Sequence, residues 1–96
     1  DIRNTRVTDM YEQLAHYGAV IDVYDPWVDS KEVEHEYGII PVEKPEPGSY
    51  DAIILAVGHE QFVKMGAEDI RTYGKDSHVL YDIKYILDAN EVDGRL

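Results

Sequence analysis

The chain has 96 residues, 44% of them hydrophobic, a formal net charge of −11 and no cysteine. That length holds one small domain, or part of one, without room for a second core. The acidic balance argues against nucleic acid and anionic membrane as partners; the lack of cysteine removes disulfides, thiolate metal sites and a cysteine nucleophile, as suits a cytoplasmic protein.

No apolar run approaches a membrane span, and no signal-peptide pattern opens the chain. Asp1-Ile2-Arg3-Asn4-Thr5 reads as a turn into a helix, with Asn4 or Thr5 as N-cap. Val7, Met10, Tyr11, Leu14 and Tyr17 then recur at three- and four-residue spacing, the apolar face of a helix closed by Gly18. An α/β domain normally begins with a strand, so this opening suggests a fragment whose first strand is missing. Ala19–Tyr24 reads as a strand stopped by Asp25-Pro26-Trp27. Asp29–Tyr37 is a short polar helix with Val33 and Tyr37 inward, ended by Gly38, and Ile39–Val42 is a weak strand that Pro41 confines to an edge.

Glu43–Ser49 is a surface loop holding Pro45, Pro47 and Gly48. Ala52–Val57 is the longest unbroken apolar run, β-branched at Ile53, Ile54 and Val57, which suits a strand buried on both faces of a parallel sheet. His59–Met65 reads as a short helix with Phe62 and Met65 inward, and Ala67–Tyr73 as a second helical turn ended by Gly74. His78–Tyr81 begins and ends the last clear strand; Asp82-Ile83-Lys84 leaves its carboxyl end, and the rest is a tail. Strands alternating with helices predict a three-layer α/β/α domain, Rossmann-like, with a mostly parallel sheet.

In such sheets ligands bind outside the carboxyl ends of the strands. Gly58-His59 lies there, which makes His59 a candidate site residue against the simpler reading of a structural loop histidine. His16 and His35 read as solvated, and His78 carries no functional signal. Lys84 follows the last strand on the same edge. Arg3 precedes the first helix, whose amino end attracts anions. Either cation could receive a nucleotide phosphate, or each could be a surface charge paired with Asp1 or Asp82. There is no G-x-G-x-x-G, carboxylate pair, metal-ligand cluster or nucleophile triad.

Asp1-Ile2-Arg3-Asn4-Thr5, Val23-Tyr24-Asp25-Pro26-Trp27, Tyr50–His59 and Val79-Leu80-Tyr81-Asp82-Ile83-Lys84 occur in one order. In that order and spacing the chain resembles the C-terminal UDP-binding domain of the UDP-glucose/GDP-mannose dehydrogenase family, over nearly all 96 residues. Tyr24-Asp25-Pro26-Trp27, Glu36-Tyr37-Gly38-Ile39 and Val92-Asp93-Gly94-Arg95-Leu96 resemble the branch of UDP-N-acetylhexosamine 6-dehydrogenases of Vi capsular polysaccharide biosynthesis.

The resemblance implies that residues 1–96 are one UDP-sugar-binding domain, and that an N-terminal NAD-binding domain and a middle region with a catalytic cysteine lie outside this chain. It implies a sheet order 3-2-1-4-5 whose missing first strand is central, leaving open edges beside Ile21 and Ile54. It also implies NAD as cofactor, a UDP-N-acetylhexosamine as substrate, and oxidation of the sugar C6 alcohol to a carboxylate by two hydride transfers, the aldehyde being held as a thiohemiacetal. A homodimer is implied for the whole enzyme. By the same resemblance Arg3 reaches toward the NAD site. Lys84 stands where relatives place an arginine against the UDP-sugar, keeping the charge without the bidentate fork. His59 then lies beside the nucleotide crevice, and no catalytic residue is expected here. The competing class is a non-catalytic α/β module for subunit association or regulation.

Overall fold

The computed structural model describes residues 5–95. The chain divides into two compact units, Asp1–Pro45 and Glu46–Leu96.

In the first unit, helix α1 spans Thr5–His16 and α2 spans Ser30–Tyr37. Gly18 ends α1 as expected: at φ 91° it takes a left-handed conformation, and its N–H donates to the Ala15 carbonyl at 3.0 Å. Asp29 caps α2, its Oδ1 accepting from the N–H groups of Lys31 (2.9 Å) and Glu32 (3.3 Å). Val33 and Ile39 form a small core against Val7, Tyr11, Val23 and Val28. Two expected inward residues face solvent instead: Tyr17 is 82% exposed and Tyr37 is 40% exposed.

Neither Ala19–Tyr24 nor Ile39–Val42 forms a strand. The two segments touch through one ladder-like bond, Val42 N–H to the Val23 carbonyl at 2.8 Å. Val20 is 99% exposed. Among the described residues no neighbouring strand pairs with this segment, and β propensity without a partner and a buried face does not hold a strand.

The second unit carries an all-parallel sheet in the order β1-β2-β3, with β1 Tyr50–Leu55, β2 Gly74–Asp82 and β3 Gly94–Arg95. This is a small α/β Rossmann-like arrangement. Helix α3, Glu60–Arg71, connects β1 to β2 and bends at Gly66 (φ 74°, ψ 168°), so the two helical pieces expected on either side of residue 66 join as one kinked element. Strand β2 begins four residues earlier than expected, and its register with β1 shifts between Tyr50↔Gly74 and Ala52↔Val79.

The apolar core of this unit joins Leu55, Ala67, Ile70, Leu80 and Leu87, with Ile53, Met65, Ile86 and Val92 against it. Ile53 pairs with Leu80 and Leu55 with Asp82, so one face of the sheet takes the whole core. Ile54 and Val79, on the other face, are 36% and 48% exposed. The expectation of a strand buried on both faces therefore holds for only one of them. Among the described residues β1 pairs with β2 alone, which leaves its other edge open, as expected beside Ile54.

The tail is more ordered than its sequence suggests. A 3-10 turn over Ala89–Glu91 leads into β3. Asp93 secures the entry to β3 twice over: its N–H donates to the Leu80 carbonyl and its Oδ2 accepts the Leu80 N–H, each at 2.8 Å.

Candidate functional site: the carboxyl edge of the sheet

Leu55, Asp82 and Arg95, the last residues of the three strands, stand opposite one another in register. Everything that leaves the strands therefore leaves from one line: Gly58-His59 after β1, and Ile83-Lys84-Tyr85 after β2. The two loops run close together: a Cβ added at Gly58 would stand 3.6 Å from Ile86 Cγ2. This is the edge where an open parallel sheet receives its ligand.

The second loop is built on Asp82. Its side chain is 0% exposed, and its two oxygens accept the backbone N–H groups of Lys84 (Oδ1, 3.0 Å) and Leu87 (Oδ2, 2.9 Å). A carboxylate this deep needs such donors, because an unpaired buried charge is strongly disfavoured. Of the two readings the sequence left open for Lys84, one paired it on the surface with Asp82. The structure instead turns Asp82 inward as the anchor of the loop, and among the described residues the exposed Lys84 ammonium has no ion-pair partner. Next to it, Tyr85 adopts φ 55° and is 54% exposed, and the Arg95 guanidinium carbon lies 4.1 Å from the centre of its ring.

His59 follows β1 and occupies the N-cap position of α3, without a side-chain capping hydrogen bond. It is buried, at 8% exposed, with its ring stacked near Phe62 at a centroid distance of 5.8 Å. Its carbonyl accepts from the N–H of Phe62 at 3.0 Å. The structure thus places Lys84 and His59 on the same edge, the first in solvent and the second largely packed. Arg3 lies outside the described residues.

Arg71, in the last turn of α3, ties the tail to β2. It donates to Asp93 Oδ2 (3.1 Å), to the Glu91 carbonyl (3.0 Å) and to His78 Nε2 (3.2 Å). His78 Nδ1 lies 2.6 Å from the Lys75 carbonyl, which can only accept, so the proton sits on Nδ1 and Nε2 is free to receive Arg71. The Leu80 N–H, then the Arg71 guanidinium, hold the Asp93 carboxyl below its ordinary value. This network sits behind the edge and is structural.

The residues do not suit a dinucleotide pyrophosphate. The turn into α3 is Gly58-His59-Glu60, with an acidic Glu60 in the first helical turn where a phosphate would need free donors. Among the described residues no group of three or more His, Asp or Glu side chains could hold a metal ion. Two surface depressions, of about 500 and 300 Å³, lie in the first unit, lined respectively by Asp9, Glu12, Gln13, His16 and Tyr17, and by residues around the Asp25-Pro26 turn. Neither has a convergent set of donors for an anion. No described helix is long and apolar enough to cross a membrane.

Sequence reading did not bring Tyr85 and Arg95 together at this edge. Gly94-Arg95 is too short a strand to announce itself, and a left-handed tyrosine has no sequence signature.

The chain is 58% identical over all 96 residues to the UDP-N-acetyl-D-glucosamine 6-dehydrogenase of Salmonella typhi, and 55% identical over the same length to that of Pseudomonas aeruginosa. It spans 23% of the length of each. It is 29% identical over 93 residues to the protein CapL of Staphylococcus aureus, covering 97% of this chain and 22% of that protein. No solved structure gives a significant match. Residues 1–89 match the model of the UDP binding domain of the UDP-glucose/GDP-mannose dehydrogenase family, and to that family the chain belongs.

Proposed function

We propose that this chain is the UDP-binding domain of an NAD-dependent UDP-N-acetylhexosamine 6-dehydrogenase, which oxidises the sugar C6 alcohol to a carboxylate for a surface or capsular polysaccharide. The observation that carries this reading is the 58% and 55% identity, over every residue of the chain, to two proteins named UDP-N-acetyl-D-glucosamine 6-dehydrogenase. The geometry supports it: the aligned strand ends present Lys84 in solvent beside a loop whose backbone is fastened by a buried carboxylate.

In this reading NAD serves the whole enzyme as the hydride acceptor and is held mainly by other parts of it. The present chain has no cysteine to bond an aldehyde and no glycine-rich phosphate loop, so its contribution is to bind and orient the nucleotide. Lys84 meets the nucleotide's phosphates as a point charge. His59 borders the crevice and keeps the turn into α3 packed. Arg3 reaches toward the cofactor side. The chain alone is inert as a catalyst; the full enzyme is a cytoplasmic homodimer.

The test is calorimetric titration of the full-length enzyme with UDP, wild type against Lys84→Ala. A loss of about tenfold in affinity is expected for removing one charge-assisted contact. Equal affinities would remove Lys84 from the site.

A further inference from the structure

We propose that Arg95 is a second anion-binding residue at the carboxyl edge, receiving the diphosphate of the nucleotide beside Lys84, with the Tyr85 ring as the surface that orients it. This rests on the nucleotide reading above and assigns a residue that reading does not include.

The placement comes from register. Arg95 pairs with Asp82, the last residue of β2, and Asp82 pairs with Leu55, the last residue of β1. Arg95 is therefore on the line of strand ends, and Lys84 leaves the same line two residues after Asp82.

Its surroundings distinguish Arg95 from an arginine that only holds the fold. Arg71 shows what such an arginine looks like, with its donors spent on Asp93, Glu91 and His78. Among the described residues no carboxylate pairs with Arg95; its recorded contact is the Tyr85 ring at 4.1 Å. A contact with an aromatic ring spends no N–H donor on a carboxylate, and the five N–H groups of a guanidinium form the fork that matches two oxygens of a phosphate. The ring also removes much of the freedom of a long side chain, so less ordering remains to be done on binding.

Tyr85 itself carries an independent sign. It is a non-glycine residue in the left-handed region, half exposed, in a loop whose neighbouring N–H groups are taken by buried Asp82. Such conformations are held where a surrounding structure insists on them, and they concentrate at ligand sites. Here the half-exposed ring follows Lys84 in the chain and has Arg95 over it, in a chain of net charge −11 with nine lysines and arginines in all. A lone lysine offers a diphosphate only a point charge, and Arg95 adds the geometric fork.

The experiment titrates UDP into the full-length dehydrogenase as wild type, Arg95→Met, Arg95→Lys, Tyr85→Leu and Lys84→Ala, each at about 50 and 200 mM salt. Arg95→Met is expected to weaken UDP about tenfold and to flatten the salt dependence, as removal of a direct phosphate contact should. Arg95→Lys is expected to restore part of the affinity and all of the salt dependence, and Tyr85→Leu to weaken UDP less than Arg95→Met does. Should Lys84→Ala weaken UDP while Arg95→Met does not, this proposal fails and the nucleotide reading stands. Should neither change matter, both fail. An Arg95→Met loss that leaves the salt dependence at the wild-type value, or that Arg95→Lys does not relieve, would mark a structural role and also overturn it.

Discussion

The Asp82 carboxylate and the Leu87 backbone N–H meet at 2.9 Å inside the second unit, where Asp82 is fully buried and Leu87 belongs to the core. A charged side chain at the end of a strand thus fixes the path of the chain five residues later. Its other oxygen fixes Lys84 on the way. The loop that carries the exposed cation is in this sense an extension of the core, and its shape is decided before any ligand arrives.

Removing that carboxylate should therefore unfasten the loop and cost stability together. Asp82→Ala leaves the buried Leu87 N–H without an acceptor and forfeits the Lys84 bond, a loss of about 2–4 kcal/mol. Urea unfolding at neutral pH measures it. A loss under about 0.5 kcal/mol, the range of ordinary surface substitutions, would mean that the two hydrogen bonds do not hold the loop.

Asp93 gives stability a pH dependence of known sign. Its folded value lies below the ordinary 3.8 because the Leu80 N–H, and then Arg71, favour the charged form. A depressed carboxylate contributes in full above its unfolded value and loses that contribution as pH falls through the folded one. The difference in melting temperature between wild type and Asp93→Asn should stay flat between about pH 5 and 7 and shrink below 3.8. A difference that grows on acidification would reverse the assigned sign.

Where sequence reading succeeded, local chemistry sufficed. Gly18 and Gly38 end α1 and α2 in left-handed conformations, and the apolar run at 52–57 overlaps β1 and buries Leu55 and Val57. It failed where partners decide. Ala19 to Tyr24 has the composition of a strand but no strand beside it among the described residues, while Gly94-Arg95, with little β propensity, is a strand because Asp93 fastens it to Leu80. The site divides the same way. Lys84 was visible as a cation after a strand, but the cation–aromatic pair depends on a pairing between residues 82 and 95 that no local pattern announces.

Gly66 tests the backbone alone. Its φ of 74° with ψ of 168° is open to glycine and strained for any L side chain, yet a Cβ there would meet nothing within 4 Å. Gly66→Ala should cost about 1–3 kcal/mol from conformation, with no steric share to be relieved by trimming neighbours. Thermal unfolding checks this. A neutral or stabilising result would mean that α3 passes through residue 66 without its kink.

Gly94 poses the opposite case, a glycine required by a neighbour. On β3 it lies under the Tyr81 ring, where an added Cβ would stand 2.6 Å from both Cδ2 and Cε2. Either the ring swings away or the short strand lifts from β2, and overpacking of this kind costs about 1–3 kcal/mol. The same contact predicts its own remedy. In a double-mutant cycle, Gly94→Ala should be severe beside Tyr81 and nearly neutral beside Tyr81→Ala, giving a coupling of at least about 1 kcal/mol. Additive effects would show that the ring yields freely and that glycine at 94 answers to something else. Because Arg95 follows directly, Gly94→Ala should also weaken UDP binding by the full enzyme if the proposed role of Arg95 holds, and the Tyr81→Ala background should return that affinity along with the stability.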